Sequence, residues 1–103
     1  MKIIEKLSSL IEDEIDGAKC YAKMAVEYRD TMSDFARTLY SMSNDEMDHM
    51  GKLHNAVVTM IDHYREEHGE PPAHMMALYD ILHRKHIDDA AAVKSLQSLY
   101  KDQ

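Results

Sequence analysis

Apolar residues along this chain recur in steps of three and four, the spacing that places side chains on one face of an α-helix. From Phe35 onward the stripe reads Phe35, Leu39, Met42, Glu46, His49, Leu53, Val57, Met60 and Tyr64. At its centre, where hydrophobes are expected, stand a carboxylate and an imidazole in a Glu-x-x-His unit. An earlier stripe runs Leu7, Leu10 or Ile11, Glu14, Ala18, Tyr21, Ala25 and Tyr28. It too carries an acid in line with its hydrophobes. A buried carboxylate is costly unless it is paired, protonated or bound to a cation. All three positions call for a partner.

The first stripe predicts a helix from Ile3 to about Arg29, the second a helix from Asp34 to about His68. Asp30-Thr31-Met32-Ser33 separates them, with Thr31 or Ser33 as the N-cap. Gly69 closes the second helix and Pro71-Pro72 stops it. Beyond the prolines, Met75, Leu78, Tyr79 and Leu82 give a third helix from Ala73 to about His86. Ile87-Asp88-Asp89 predicts a break, with Asp88 capping a short last helix through Val93, Leu96, Leu99 and Tyr100; one continuous helix is the alternative. Glycine and proline are scarce, and no run alternates in the manner of a strand. The expected fold is all-α, an antiparallel hairpin of two long helices followed by shorter C-terminal helices. The 103 residues form one expected domain, with 3–68 as the hairpin and 73–103 as a C-terminal helical segment.

Folding the hairpin about Thr31 to Ser33 brings the irregular positions together. Glu14 precedes the turn by 17 to 19 residues and His49 follows it by 16 to 18. At about 1.5 Å per residue, both lie roughly 26 Å from the turn. Glu14 should therefore face Glu46 and His49 across the seam. Gly17, one turn after Glu14, costs about 1 kcal/mol relative to alanine inside a helix. It either makes room for a group or lets another helix approach. Glu12, Asp13 and Asp16 point elsewhere and look like a solvated face.

A glutamate on one helix opposite a Glu-x-x-His on the next is half the ligand set of a carboxylate-bridged dimetal site in a four-helix bundle. Over residues 3–68 the chain resembles the ferritin-like superfamily, in particular rubrerythrin-like and encapsulated-ferritin-like proteins that carry one site-bearing helix pair per chain. No second Glu and Glu-x-x-His pair follows. Asp80-Ile81-Leu82-His83 is the one candidate, and it also offers a surface metal contact. A homodimer, or a higher homo-oligomer, would complete a four-helix bundle by packing two hairpins together.

The resemblance then implies Glu14, Glu46 and His49 as metal ligands and catalytic groups, with Tyr21 as a hydroxyl behind them. It implies two irons per dimer, manganese or zinc being possible substitutes. The implied activity is that of a di-iron ferroxidase, oxidising Fe(II) with oxygen or peroxide in iron handling or oxidative-stress protection. A rubrerythrin-like peroxide reductase is the nearest alternative; lacking cysteine pairs for a rubredoxin-type centre, it would need a redox partner protein. An encapsulating shell is another implied partner, although Leu99 to Gln103 does not resemble an apolar, glycine-containing cargo tail. Two readings bypass catalysis. One is a helical adaptor or assembly protein in which the three residues form a polar network fixing register; the other is a zinc-stabilised dimer.

Charge and composition narrow the partners. A net charge of −7 leaves no basic face for nucleic acid or an anionic membrane. No apolar run approaches the roughly 20 residues of a membrane span, and since Met1 to Glu5 passes straight into a charged helical pattern, no signal peptide is expected. The lone Cys20 suits a reducing compartment, so a cytoplasmic location is expected, free or inside a protein compartment. The nine methionines read as adaptable packing. His54, His63, His68, His74, His83 and His86 share no level with acids and read as surface residues.

Overall fold

In the computed structural model, which describes residues 2–102, the two long stripes become α1 (Lys2–Tyr28) and α2 (Ser33–His68). Ser33 opens α2 from within, and Met32 occupies the N-cap without a side-chain hydrogen bond. The expected cap at Thr31 or Ser33 is therefore not formed. The backbone closes the turn instead, with the Met32 N–H donating to Tyr28 O and the Ala36 N–H to Met32 O. At the far end Gly69 adopts φ 81° and donates its N–H to Arg65 O. That left-handed conformation is the one glycine allows at low cost.

α3 (Ala73–Lys101) is a single helix of 29 residues. The predicted break at 87–89 and the shorter C-terminal helices are corrected here. No glycine or proline lies between 73 and 101, and Asp89 pairs with Lys85 one turn earlier at 3.3 Å. The acidic pair extends the helix surface without capping a new helix.

The three helices lie along one another in a rod of 56 × 19 × 18 Å. α1 and α2 run antiparallel, so that Ala18 meets Ser43 and Gly17 meets Glu46. α3 returns parallel to α1, with Glu12 against Lys85 and Arg29 donating to Leu99 O at 3.1 Å. That bond satisfies a carbonyl left open by the last turn of α3. α3 rests mainly on α1 and touches α2 at few points.

The shared core is Ile4, Ile11, Ile15, Ala18, Val57, Ile61 and Val93. Each large branched side chain removed from water contributes roughly 1.5–3 kcal/mol. The seam on α1 is therefore Ile4, Ser8, Ile11, Ile15, Ala18, Ala22 and Ala25, rotated from the stripe read in the sequence. On α2 the buried set is Ala36, Leu39, Ser43, Val57 and Ile61. Leu7 and Leu53 pack partly buried against this core, whereas other stripe members form an outward edge. Leu10, Phe35, Met42 and Met60 stand 38–41% exposed there.

Ser43 ties the three helices at one point. Its hydroxyl, wholly buried, donates to Ala18 O of α1 at 2.7 Å and accepts from Gln97 Nε2 of α3 at 2.9 Å. Ser43→Ala would leave both partners short of a bond inside the rod. The expected cost is about 1–3 kcal/mol, seen as a melting temperature lower by several degrees. No helix among the described residues is long and apolar enough to cross a membrane.

Candidate metal centre

Glu14 on α1 and Glu46 and His49 on α2 meet at the edge of the α1–α2 seam. His49 Nδ1 lies 3.4 Å from Glu14 Oε2 and 3.9 Å from Glu46 Oε1. One ligand atom from each residue lies within 4.8 Å of the others, and among the described residues this is the one group of His, Cys, Asp and Glu so arranged. The antiparallel turn fixes the level; the three-residue step within α2 puts both of its groups on one side.

The cluster is half open. The side chains of Glu14 and Glu46 are 26% and 27% exposed, and that of His49 is 51% exposed. Glu14 Oε2 is nonetheless sealed from solvent and, with both acids ionised, receives no hydrogen bond. A buried carboxylate oxygen without a donor is costly, and a cation would satisfy it. Gly17 explains how Glu46 fits: a Cβ there would stand 3.1 Å from Glu46 Oε2. The glycine is the notch that the second carboxylate enters.

Glu46 feels Glu14 directly. A hydrogen bond to Glu14, then burial, then the charge of Glu14 hold Glu46 above its ordinary 4.5, against the opposing pull of His49. Two carboxylates facing one imidazole form an oxygen-and-nitrogen donor set, the kind that iron, manganese and zinc accept. Three groups do not fill the coordination of such an ion, so positions remain for further ligands. Tyr21 is half-buried one turn beyond Gly17, and no hydrogen bond joins its hydroxyl to the three residues.

Elsewhere the histidines divide. His63 and His68 lie at the surface beside Glu67, at 3.2 and 3.8 Å. His74 is exposed. His83 does not pair with Asp80; its ring stacks between those of His54 (4.7 Å) and Tyr79 (5.6 Å). His86 is buried, its Nε2 3.6 Å from Glu12 Oε1. The surface reading of His54, His83 and His86 is thus corrected, while Glu12, its side chain 37% exposed, pairs with Lys85 at 3.2 Å. The missed signal was the step Tyr79, His83, His86, Ala90, Val93, which becomes one face once α3 is continuous.

These histidines predict acid sensitivity. Burial holds His86 below 6.5, outweighing Glu12 and Asp89, while Lys85 acts in the same direction as burial. Burial and then the neighbouring His83 lower His54 likewise. The unfolded chain takes up these protons first, so stability is full above pH 6.5 and falls from there toward the lower native values. The slope is about 1.4 kcal/mol per pH unit for each group while only its unfolded form titrates. Thermal melts between pH 8 and pH 5 should show the decline, and His86→Gln should flatten it.

No family model, curated protein or solved structure matches the chain.

Proposed function

We propose that the chain binds Fe(II) through Glu14, Glu46 and His49 and, as a homodimer of ferritin-like hairpins, oxidises it with oxygen or peroxide. The observation that carries this reading is the sealed, donor-less Glu14 Oε2 inside a cluster of two carboxylates and an imidazole. A cation there would satisfy that oxygen and take the place of the proton that the hydrogen bond to Glu14, burial and the Glu14 charge favour on Glu46.

The chemistry is a two-electron exchange. Two Fe(II) ions each give up one electron; dioxygen takes the pair with two protons to give hydrogen peroxide, or peroxide takes it to give two waters. The chain's residues supply charge and geometry. Two carboxylates per subunit place four around a two-ion site, and negative oxygens favour the more highly charged ferric product. His49 ligates only as neutral imidazole. The outward edge that holds the site, with Leu10, Phe35, Met42 and Met60 exposed, supports the dimer: pairing two such edges would cover the apolar groups and bring two half-sites together.

The test is anaerobic titration of the metal-free protein with Fe(II), followed by air, reading the ultraviolet absorbance of ferric iron. Saturation near one iron per chain and oxidation faster than in buffer are expected. A folded chain that takes up no stoichiometric iron would overturn the reading and leave the three residues as a polar network in an assembly protein.

A further inference from the structure

α2 and α3 meet through stacked rings, Tyr40 on Tyr100 at 4.8 Å near one end and His54 on His83 at 4.7 Å farther along. Beyond the Ser43–Gln97 hydrogen bond beside the first stack the helices stand apart, and a cavity of about 370 Å³ opens to solvent. That size lies within the roughly 300–1,000 Å³ of small-molecule sites. Ile11, Met50 and Ala90 give it an apolar wall; His54, His86 and Lys94 supply its polar groups. The cavity lies away from the metal cluster, since Gly51 on its lining is two residues from His49, about 200° around α2.

Two features mark it as more than loose packing. Gly51 stands in mid-helix, where glycine costs about 1 kcal/mol, yet a Cβ there would meet nothing within 4 Å. Unlike Gly17, it is not required by a neighbour; its effect is to keep the cavity wide. The second feature is His86, whose side chain is only 8% exposed. Its Nε2 is sealed without a hydrogen-bond partner, Glu12 standing too far at 3.6 Å. That nitrogen is turned to Glu12 of α1 and closed to solvent, so His86 presents the rest of its ring to the cavity. No carboxylate lines the cavity, and Lys94 is its one fixed charge, in a chain of net charge −7.

We propose that this cavity binds a small monocarboxylate with an apolar body, the body against Ile11, Met50 and Ala90 and the carboxylate toward Lys94 and the imidazole edge. Neutral imidazoles beside an ammonium offer donors to an anion, while the wall offers only dispersion and burial. This site does not depend on the metal reading.

The probe is sodium decanoate, titrated calorimetrically into the full-length chain below its micelle concentration, with decanol as the uncharged control. One saturable site per chain is expected. Gly51→Leu, which fills open space with a better helix former, should weaken decanoate by roughly tenfold or more without lowering the melting temperature. Gly51→Ala, a single added methyl, should weaken it less and guards against a folding defect. Lys94→Gln should weaken decanoate several-fold and leave decanol unchanged. Absence of saturable binding to the folded chain, or affinity unchanged in Gly51→Leu, would overturn the site. Equal effects of Lys94→Gln on acid and alcohol would overturn the carboxylate assignment.

Discussion

Glu46→Gln is expected to melt higher than the parent protein without metal and to lose Fe(II) oxidation altogether. Both effects follow from the same two carboxylates. Glu46 holds its proton more tightly in the folded chain than its ordinary 4.5 would imply. The native state therefore binds more protons than the unfolded chain just above that pH, and stability falls as pH rises through the window. At neutral pH the acid pair is a net cost. An amide of the same shape removes one charge and offers an N–H in the neighbourhood of Glu14 Oε2, which has no donor. The expected gain is on the order of 1 kcal/mol, or roughly 4–8 °C in a chain of this size. A divalent cation reverses the order. Manganese, or Fe(II) without air, should raise the melting temperature of the parent by mass action and leave Glu46→Gln unmoved. Oxidation in the variant should fall to the rate in buffer. If the variant instead melts lower without metal and responds to manganese as the parent does, Glu46 is a structural partner and the metal reading fails.

The same pair shows which parts of the fold a sequence can reveal. A short turn between two long helices fixes level, so Glu14, Glu46 and His49 could be brought together by residue count before any coordinate was known. The structure places His49 Nδ1 3.4 Å from Glu14 Oε2. Rotation was harder to read. Each long helix carries two apolar faces, one for its neighbours within the chain and one outward. Periodicity cannot say which of them a given hydrophobe serves. Phe35, Met42 and Met60 fall on the apolar stripe and stand exposed, while Ile15, Ala22 and Ile61, off the stripe, form the interior.

The sparse contact between α2 and α3 was the least legible. Nothing local says that His54 will stack on His83, because the contact depends on the path of α3. An assumed break at Asp88-Asp89 hid that path. The acids look like a cap, yet Asp89 is held by Lys85 at 3.3 Å, an i,i+4 pair that supports the helix through the position. Gly17 lay between these cases. Its cost was evident from sequence, but its purpose needed the Glu46 carboxylate in place at 3.1 Å. Tyr21 is half-buried on α1 and makes no hydrogen bond to the cluster, so seven-residue spacing alone did not establish a link.

Charging the outward edge should stop turnover without touching a ligand. Leu10 lies one turn before Glu14 and Met42 one turn before Glu46, so in the antiparallel hairpin they bracket the cluster from opposite ends. Both are about two-fifths exposed, at 41% and 38%, and a glutamate at either leaves the rod's interior intact. A surface change of this kind alters folding stability by only about 0.5 kcal/mol. In a symmetric dimer each new charge appears twice in an apolar interface, where unpaired charge costs several kcal/mol. The double variant Leu10→Glu with Met42→Glu should remain helical and sediment as a single chain. Its Fe(II) oxidation should fall by on the order of a hundredfold, equivalent to about 2.7 kcal/mol of barrier. A single chain supplies three ligands and no partner ion, so the two electrons that oxygen or peroxide requires would no longer leave from one place. Unchanged oxidation by a chain that sediments alone would place the whole reaction within a single subunit and remove the interface from the mechanism.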